Sequence, residues 1–492
     1  MKEVESGASI NIITINFNSY KIQSTNMTSK TIHSLILGIA MLVVYYCSAQ
    51  QKEEFTPTFT VSKNTTHQIP EDRNYTFGYL EVLENRNNPQ SNIIKLPVYI
   101  FKSRSQNPKP DPIIYTVGGP GYSTMSSAQY TKYYKYLDDR DFIFFEQRGN
   151  YYAQPHLDCP EWSKAIHLSG LPNFESNKSD SLFTHAAKVC RQRLVERGID
   201  LNGYHTKETA ADIEDLRTVL GIDQYNLLTI SYSTKIAQVL LRDYSESIRS
   251  VVMDSPLPLK ASYDEESVGN LLESIELLLN DCESDSGCRT AFPDLKERFF
   301  SFLRDITETP LKIDVENPKI GVTETFQLKG KDVIGLFSSV STNDVANVPM
   351  EINKVLNGDF GAIEDMLKYR FQEPGNGSGI GMRLSVWCAE EYPFNNQSVI
   401  QEESEKYPEL KGLSPAVYKA SVCKIWNVVK APDIENEAVA STIPVLIISG
   451  EYDNDTPVKW AKHMRPNLPN SHHLVFKGWK HIPTTNWSNP CA

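Results

Sequence analysis

The chain has 492 residues, with 49 Lys+Arg against 61 Asp+Glu and a formal net charge of −12. Hydrophobic residues make up 40% and charged residues 22%, which excludes a chain that is mainly disordered. The acid excess argues against a nucleic-acid partner, which demands clustered Lys and Arg. The length suits one large domain with an insertion, or two domains.

The first strong signal in chain order is the apolar run Leu35–Tyr46. As a helix it would rise about 18 Å, short of a membrane core of about 30 Å. Lys30 precedes it, and the small residues Ser48 and Ala49 follow. The segment reads as a secretory signal peptide that starts at Met27 and is cleaved near Ala49. Residues 1–49 are thus an N-terminal extension and signal, and the expected location is secreted or periplasmic, without stable membrane insertion after cleavage. An uncleaved membrane anchor is the alternative. The 8 cysteines show no metal-ligand spacing. Cys282 and Cys288 bracket a short polar loop that suits a local disulfide. Sequence order suggests Cys159–Cys190 and Cys388–Cys423 as two more, which fits an oxidising compartment. Cys491 is left over, at an end that reads as truncated.

Residues 51–76 are polar and read as an irregular lead-in. Tyr75–Leu83 and Ile93–Phe101 alternate and predict an antiparallel pair. Pro112–Val117 and Asp141–Phe145 are short apolar runs, as expected of buried strands. A helix follows over Thr209–Leu220, with Thr206 as candidate N-cap. Then come a strand at Tyr225–Ile230, a helix at Lys235–Asp243 and a strand at Arg249–Met253. Alternation of this kind predicts a mostly parallel, doubly wound α/β sheet. Residues 257–380 carry helical patterns at Val268–Leu279 and Leu295–Ile306 and read as a mainly helical cap insertion. Residues 50–256 and 381–492 are then the two parts of the core, with strands returning at Ile443–Ser449 and His473–Phe476.

Three stretches carry chemistry. Ser231 stands between a buried strand and a helix, where a sharp turn lifts a serine above the sheet edge. Such a turn demands small neighbours two residues away, and Thr229 and Ser233 are small without being glycine. A serine in an ordinary strand-to-helix loop is the plainer alternative. Gly118–Gly121 follows a buried strand, and its glycines allow backbone N–H groups to approach an anion, as an oxyanion hole requires. A tight turn is the plainer alternative. Asp453 ends a strand and His481 follows the next one, giving the order Ser, Asp, His of α/β-hydrolase triads. Asp455 is the close rival of Asp453, and an Asp here could also simply cap a helix. Glu390 and Glu391 follow Cys388 where the chain returns to the core. They are candidates to hold a substrate ammonium at the rim of the site, or else a solvated acidic pair.

These motifs resemble the secreted tripeptidyl-aminopeptidase and proline-iminopeptidase group of α/β-hydrolases, peptidase family S33. Further carriers are Phe145–Gly149 with the following Pro155–Pro160, Asp212–Arg217, the Cys282 and Cys288 region, and Leu384–Glu391. The resemblance implies Ser231 as nucleophile, His481 as base and Asp453 as acid, with oxyanion donors from the backbone of Gly119 and Tyr232. Arg148 is expected to order a loop. No metal or organic cofactor is needed, and the substrate is a peptide cut at its free N-terminus. Esters split by the same triad, or binding by an impaired hydrolase scaffold, are the rival functions. The chain departs from the family pattern at Thr229, Ser233, Glu146 and Trp479–Lys480.

Overall fold

The computed structural model describes residues 55–485, apart from 89 and 415–416. The signal segment with Met27, Cys47 and Ala49, residues 1–26 and Cys491 lie outside the described residues. In chain order the strands are β1 Thr58–Val61, β2 Tyr75–Leu83, β3 Ile93–Phe101, β4 Ile113–Thr116, β5 Phe142–Phe145, β6 Tyr225–Ile230, β7 Ile248–Asp254, β8 Leu311–Asn317, β9 Val322–Leu328, β10 Val445–Gly450 and β11 Ser471–Phe476. Nine of them form one sheet in the order β1-β2-β3-β5-β4-β6-β7-β10-β11. Pairings from β1 to β5 are antiparallel, and those from β5 through β4 to β11 are parallel. This is the α/β-hydrolase architecture that the alternation of strands and helices predicts.

The central strands read as continuous apolar runs because helices cover both faces, and all six residues of β6 are buried. The helix before β6 spans Thr206–Val219 and buries Ala210, Ile213 and Leu216 against the sheet. Its N-cap is His205, whose ring accepts from the Glu208 N–H, and not Thr206. Thr206 is instead the first helical residue, held by a distant carboxylate described below. β1 is an edge strand inside the stretch that reads as irregular. Its side chains are largely exposed, so burial leaves no apolar period there.

Between β7 and β10 lies a segment with a separate core of Leu279, Phe299, Leu303, Val333 and Ile352. It holds the helices Tyr263–Ser284 and Leu295–Glu308, and also the antiparallel hairpin β8–β9. In β8 only Ile313 and Val315 point inward between charged neighbours, a period-two signal too short to stand out. From Met382 onward, side chains such as Leu384, Val386 and Trp426 rejoin the main core.

Among the described residues three disulfides join Cys159–Cys190, Cys282–Cys288 and Cys388–Cys423, with Cα separations of 5.4, 5.1 and 5.1 Å. No helix among the described residues is long and apolar enough to cross a membrane.

Candidate active site

Ser231 sits between β6 and the helix Ser233–Asp243, in the left-handed region with φ 55°. A non-glycine residue pays strain there, and such strain clusters at functional turns. The neighbours hold it in place. Its N–H donates to the Asp254 carbonyl at 2.8 Å, and its own carbonyl accepts from Thr234 N at 2.9 Å. Gly118 lies so close that a Cβ there would stand 2.7 Å from the Ser231 Cβ. The glycine is required by that approach, and it presses the loop of Gly119 onto the elbow.

Ser233 contributes more than small size. Its fully buried hydroxyl accepts from Ile230 N at 2.7 Å and lies 2.8 Å from the Thr116 carbonyl and 2.9 Å from the Ile230 carbonyl. It therefore ties the ends of β4 and β6 to the turn. Thr229 Oγ1 likewise donates to Val252 of β7 at 3.0 Å. A glycine could make neither bond.

Asp453 and His481 reach the same end of the sheet from the loops after β10 and β11. His481 Nδ1 and Asp453 Oδ2 are 2.7 Å apart. Asp453 Oδ1 accepts from the N–H groups of Asp455 and Thr456 at 2.9 Å each, and Oδ2 also accepts from Thr456 Oγ1 at 2.8 Å. Asp455 instead is exposed, and its bond is accepted from Asn454 Nδ2. Asp453 is therefore the aspartate that holds the imidazole. Burial raises its carboxyl, but His481 and the Thr456 bonds outweigh that and hold it below the ordinary value. For His481, burial acts downward, yet Asp453, Asp455 and Asp254 lift it above 6.5. Asp453, Asp455 and His481 offer ligand atoms within 4.8 Å of one another. The oxygens of Asp453 are already filled by hydrogen bonds, which suits an orienting acid better than a metal ligand.

Two residues beyond the predicted set lock this arrangement. Asp254 ends β7, and its side chain accepts from Thr484 N at 2.9 Å while its carbonyl holds Ser231 N. Ser255 Oγ accepts from Ile482 N at 2.8 Å. One dipeptide thus clamps the Ser231 turn to the His481 loop. Thr456 is the third addition, and its place three residues after Asp453 is the signal that could have found it. Lys480, where a small residue is usual, donates from Nζ to Asn454 at 2.7 Å and from N–H to Thr342 of the inserted segment at 3.0 Å.

Ser231, His481, Gly119 and Tyr232 line one cavity of about 490 Å³, together with Tyr263, Arg383, Trp387 and Asp455. The Tyr232 N–H heads a helix whose leading donors have no intrahelical acceptor. Gly119 has φ 119°, and its loop faces the same cavity.

Glu390 and Glu391 do not reach the rim. They are 3% and 4% exposed and are absent from the cavity lining. Glu390 accepts from both N and Oγ1 of Thr206 at 2.6 Å, and Thr206 Oγ1 bonds the Tyr232 hydroxyl at 2.9 Å. Glu391 pairs with Lys235 of the nucleophile helix, itself 1% exposed. Both acids lie behind the elbow with partners already in hand, because the helical turn Trp387–Glu391 points them into the core. Neither is free to meet a substrate ammonium. Arg148 is fully buried and joins Asp212 to the carbonyls of Glu84 and Gly203, ordering loops as expected. Glu146 accepts from Ser123 Oγ and Thr124 N and so fixes the stretch after the glycine loop. Burial pushes its carboxyl up to about 7.

Comparison with known proteins gives a consistent kinship. An alpha/beta hydrolase fold family matches residues 111–288, and a TAP-like protein family matches residues 412–492. Serine protease Hip1 of Mycobacterium tuberculosis is 21% identical over 432 residues, covering 82% of this chain and 81% of the relative. A tripeptidyl aminopeptidase of Streptomyces coelicolor is 24% identical over 449 residues, covering 84% and 78%. Among solved structures, a proline iminopeptidase of Mycobacterium smegmatis aligns with TM-score 0.34 at 14% identity, over 79% of this chain and 88% of that one. The two family matches, the peptidase relatives and the sheet support a TAP-like α/β-hydrolase of peptidase kinship.

Proposed function

We propose that this protein is a secreted serine peptidase that removes residues or short peptides from free N-termini. The observation that carries the reading is the 2.7 Å His481–Asp453 bond at the cavity that also holds Ser231 in its left-handed turn. Ser231 attacks the scissile carbonyl while His481 takes its proton. Asp453 fixes the imidazole with Nδ1 protonated and stabilises the imidazolium. The backbone N–H groups of Gly119 and Tyr232 receive the oxyanion, each donor being worth roughly 10²–10³ in rate. His481 then protonates the leaving amine, and water releases the acyl group from Ser231. The tripeptidyl aminopeptidase and serine protease relatives favour peptides over esters. The three disulfides favour an oxidising, extracytoplasmic location.

With Glu390 and Glu391 enclosed, Asp455 is the carboxylate on the cavity wall and the group to meet a substrate ammonium. A fluorophosphonate probe tests the nucleophile: it should label the protein and fail on Ser231→Ala. Aminoacyl-, dipeptidyl- and tripeptidyl-coumarins, each free and N-acetylated, test the rest. Free amines should be preferred by ten-fold or more. Equal rates on acetylated peptides would remove the exopeptidase reading, and turnover of p-nitrophenyl esters alone would favour the ester hydrolase.

A further inference from the structure

We propose that Arg383 is a receptor for a substrate carboxylate, so that the site selects acidic peptides. The inference rests on the peptidase reading above and concerns which peptides it takes.

The placement of Arg383 is fixed by the glycine loop. The helix Ile380–Val386 starts after Gly379, and a Cβ on Gly121 would stand 2.4 Å from the Gly379 carbonyl oxygen. One turn into that helix, Arg383 lines the cavity of Ser231 and His481 and also an adjoining cavity of about 420 Å³. Its guanidinium carbon lies 5.6 Å from the centroid of the Trp387 ring, which is 2% exposed. The side chain is therefore held against a fixed aromatic surface and is not sweeping through solvent.

What it lacks is a bonded anion. Among the described residues Arg383 makes no ion pair and donates no side-chain hydrogen bond, and its Nε is buried without an acceptor. Buried polar groups are nearly always bonded, so an exception at a cavity wall asks for a ligand. Buried Arg148 and half-buried Arg86 show the contrast. Arg148 is saturated by Asp212 and main-chain carbonyls, and Arg86 pairs with Glu208, Asp212 and Asp215. The acid nearest in charge, Asp264, is already taken: it accepts from Trp387 Nε1 at 3.2 Å, Asn395 Nδ2 at 2.7 Å and Val417 N at 2.9 Å. Asp180, on the wall of the adjoining cavity, is bonded by Ser421 Oγ at 2.8 Å. A guanidinium offers a planar fork that matches a carboxylate, so that is the group this site would bind.

Arg383 lines the Ser231 cavity and not the cavity of about 450 Å³ that continues past Asp455, His481 and Ile482. The carboxylate it would take is a Glu or Asp side chain of the peptide. A free C-terminal carboxylate has the same chemistry and is the second source to separate.

The test compares matched substrates on the purified protein. Peptidyl-coumarins carrying Glu or Gln at each position before the scissile bond address the side chain. Short peptides with a C-terminal acid or amide address the terminus. The expected result is a Glu:Gln ratio in kcat/KM of about ten or more at one position. That ratio should fall to about one in Arg383→Gln and return in part in Arg383→Lys. Discrimination in the acid/amide series instead keeps the receptor and assigns the terminal carboxylate. The wild-type ratios need no variant, so a poorly folded Arg383→Gln does not block the test. Ratios near one in both wild-type series, with peptides cut normally, overturn the proposal and leave the peptidase reading standing. An unchanged ratio in Arg383→Gln overturns it as well. Ester turnover without any peptide cleavage removes both.

Discussion

Two sets of buried acids flank the Ser231 turn and do opposite things. In front, Asp453 is 3% exposed, but its partner His481 opens onto the cavity. Behind, Glu390 and Glu391 are equally buried, and their partners Thr206 and Lys235 are buried too. The front set passes its charge to a group that can meet substrate. The rear set ends in the core, where it fixes Tyr232 and the helix after Ser231. Burial of a carboxylate therefore says little about function until the exposure of its partner is known.

The comparison breaks if the front set is not catalytic. Ser231→Ala should lower kcat by roughly 10⁶ and Asp453→Asn by about 10⁴, the latter through the wrong His481 tautomer. Ser231→Ala should keep the wild-type melting behaviour to within a few degrees. Steady-state kinetics beside thermal unfolding reads both quantities. An Asp455→Asn variant that lost more kcat than Asp453→Asn would reassign the acid.

The rear set should show the reverse profile. Glu391→Gln leaves the Lys235 ammonium buried and unpaired, at a cost of about 3–5 kcal/mol of stability. Chemical denaturation should find that loss, while kcat per folded molecule stays within about ten-fold. Replacing the pair together, as Lys235→Met with Glu391→Leu, should recover most of the stability. If Glu391→Gln lost activity with unchanged stability, the acid would be acting on substrate.

A smaller effect is expected at the turn itself. Ser233→Gly removes an acceptor from Ile230 N–H and a donor from buried carbonyls, and should cost about 1–3 kcal/mol. From size alone the same change is expected to be harmless, so denaturant midpoints of the two proteins decide the matter.

The mildest test is pH. His481 must be neutral to accept a proton, and its neighbours raise it above 6.5. The acid limb of kcat/KM should therefore lie above pH 6.5, with activity rising as pH passes the raised value. The stability from the His481–Asp453 pair runs the other way: complete below the unfolded-state value and lost as pH rises through the folded one. Asp455→Asn removes one of the raising charges and should move the limb to lower pH.

Most strands of the main sheet and the strand-to-helix turn at Ser231 were legible in the sequence, because each depends on residues close in the chain. The apolar run of β6 and the helical period after it place Ser231 at a strand-to-helix turn, and the order of Asp453 and His481 follows the order of the strands that carry them. β1 and the hairpin β8–β9 escaped because exposed or short strands leave little apolar period. The partners of Glu390 and Glu391 were not legible. Glu390 meets Thr206 across 184 positions and Glu391 meets Lys235 across 156. No local pattern records such a meeting. Likewise only packing shows that the hydroxyl of Ser233 is bonded, that Asp254 and Ser255 clamp two loops, and that Arg383 reaches the cavity unpaired. Chain-local periodicity determines which elements form, since burial repeats every two or 3.6 residues. The tertiary structure decides whether a polar side chain faces a cavity or a partner, since that depends on atoms brought together from distant parts of the chain.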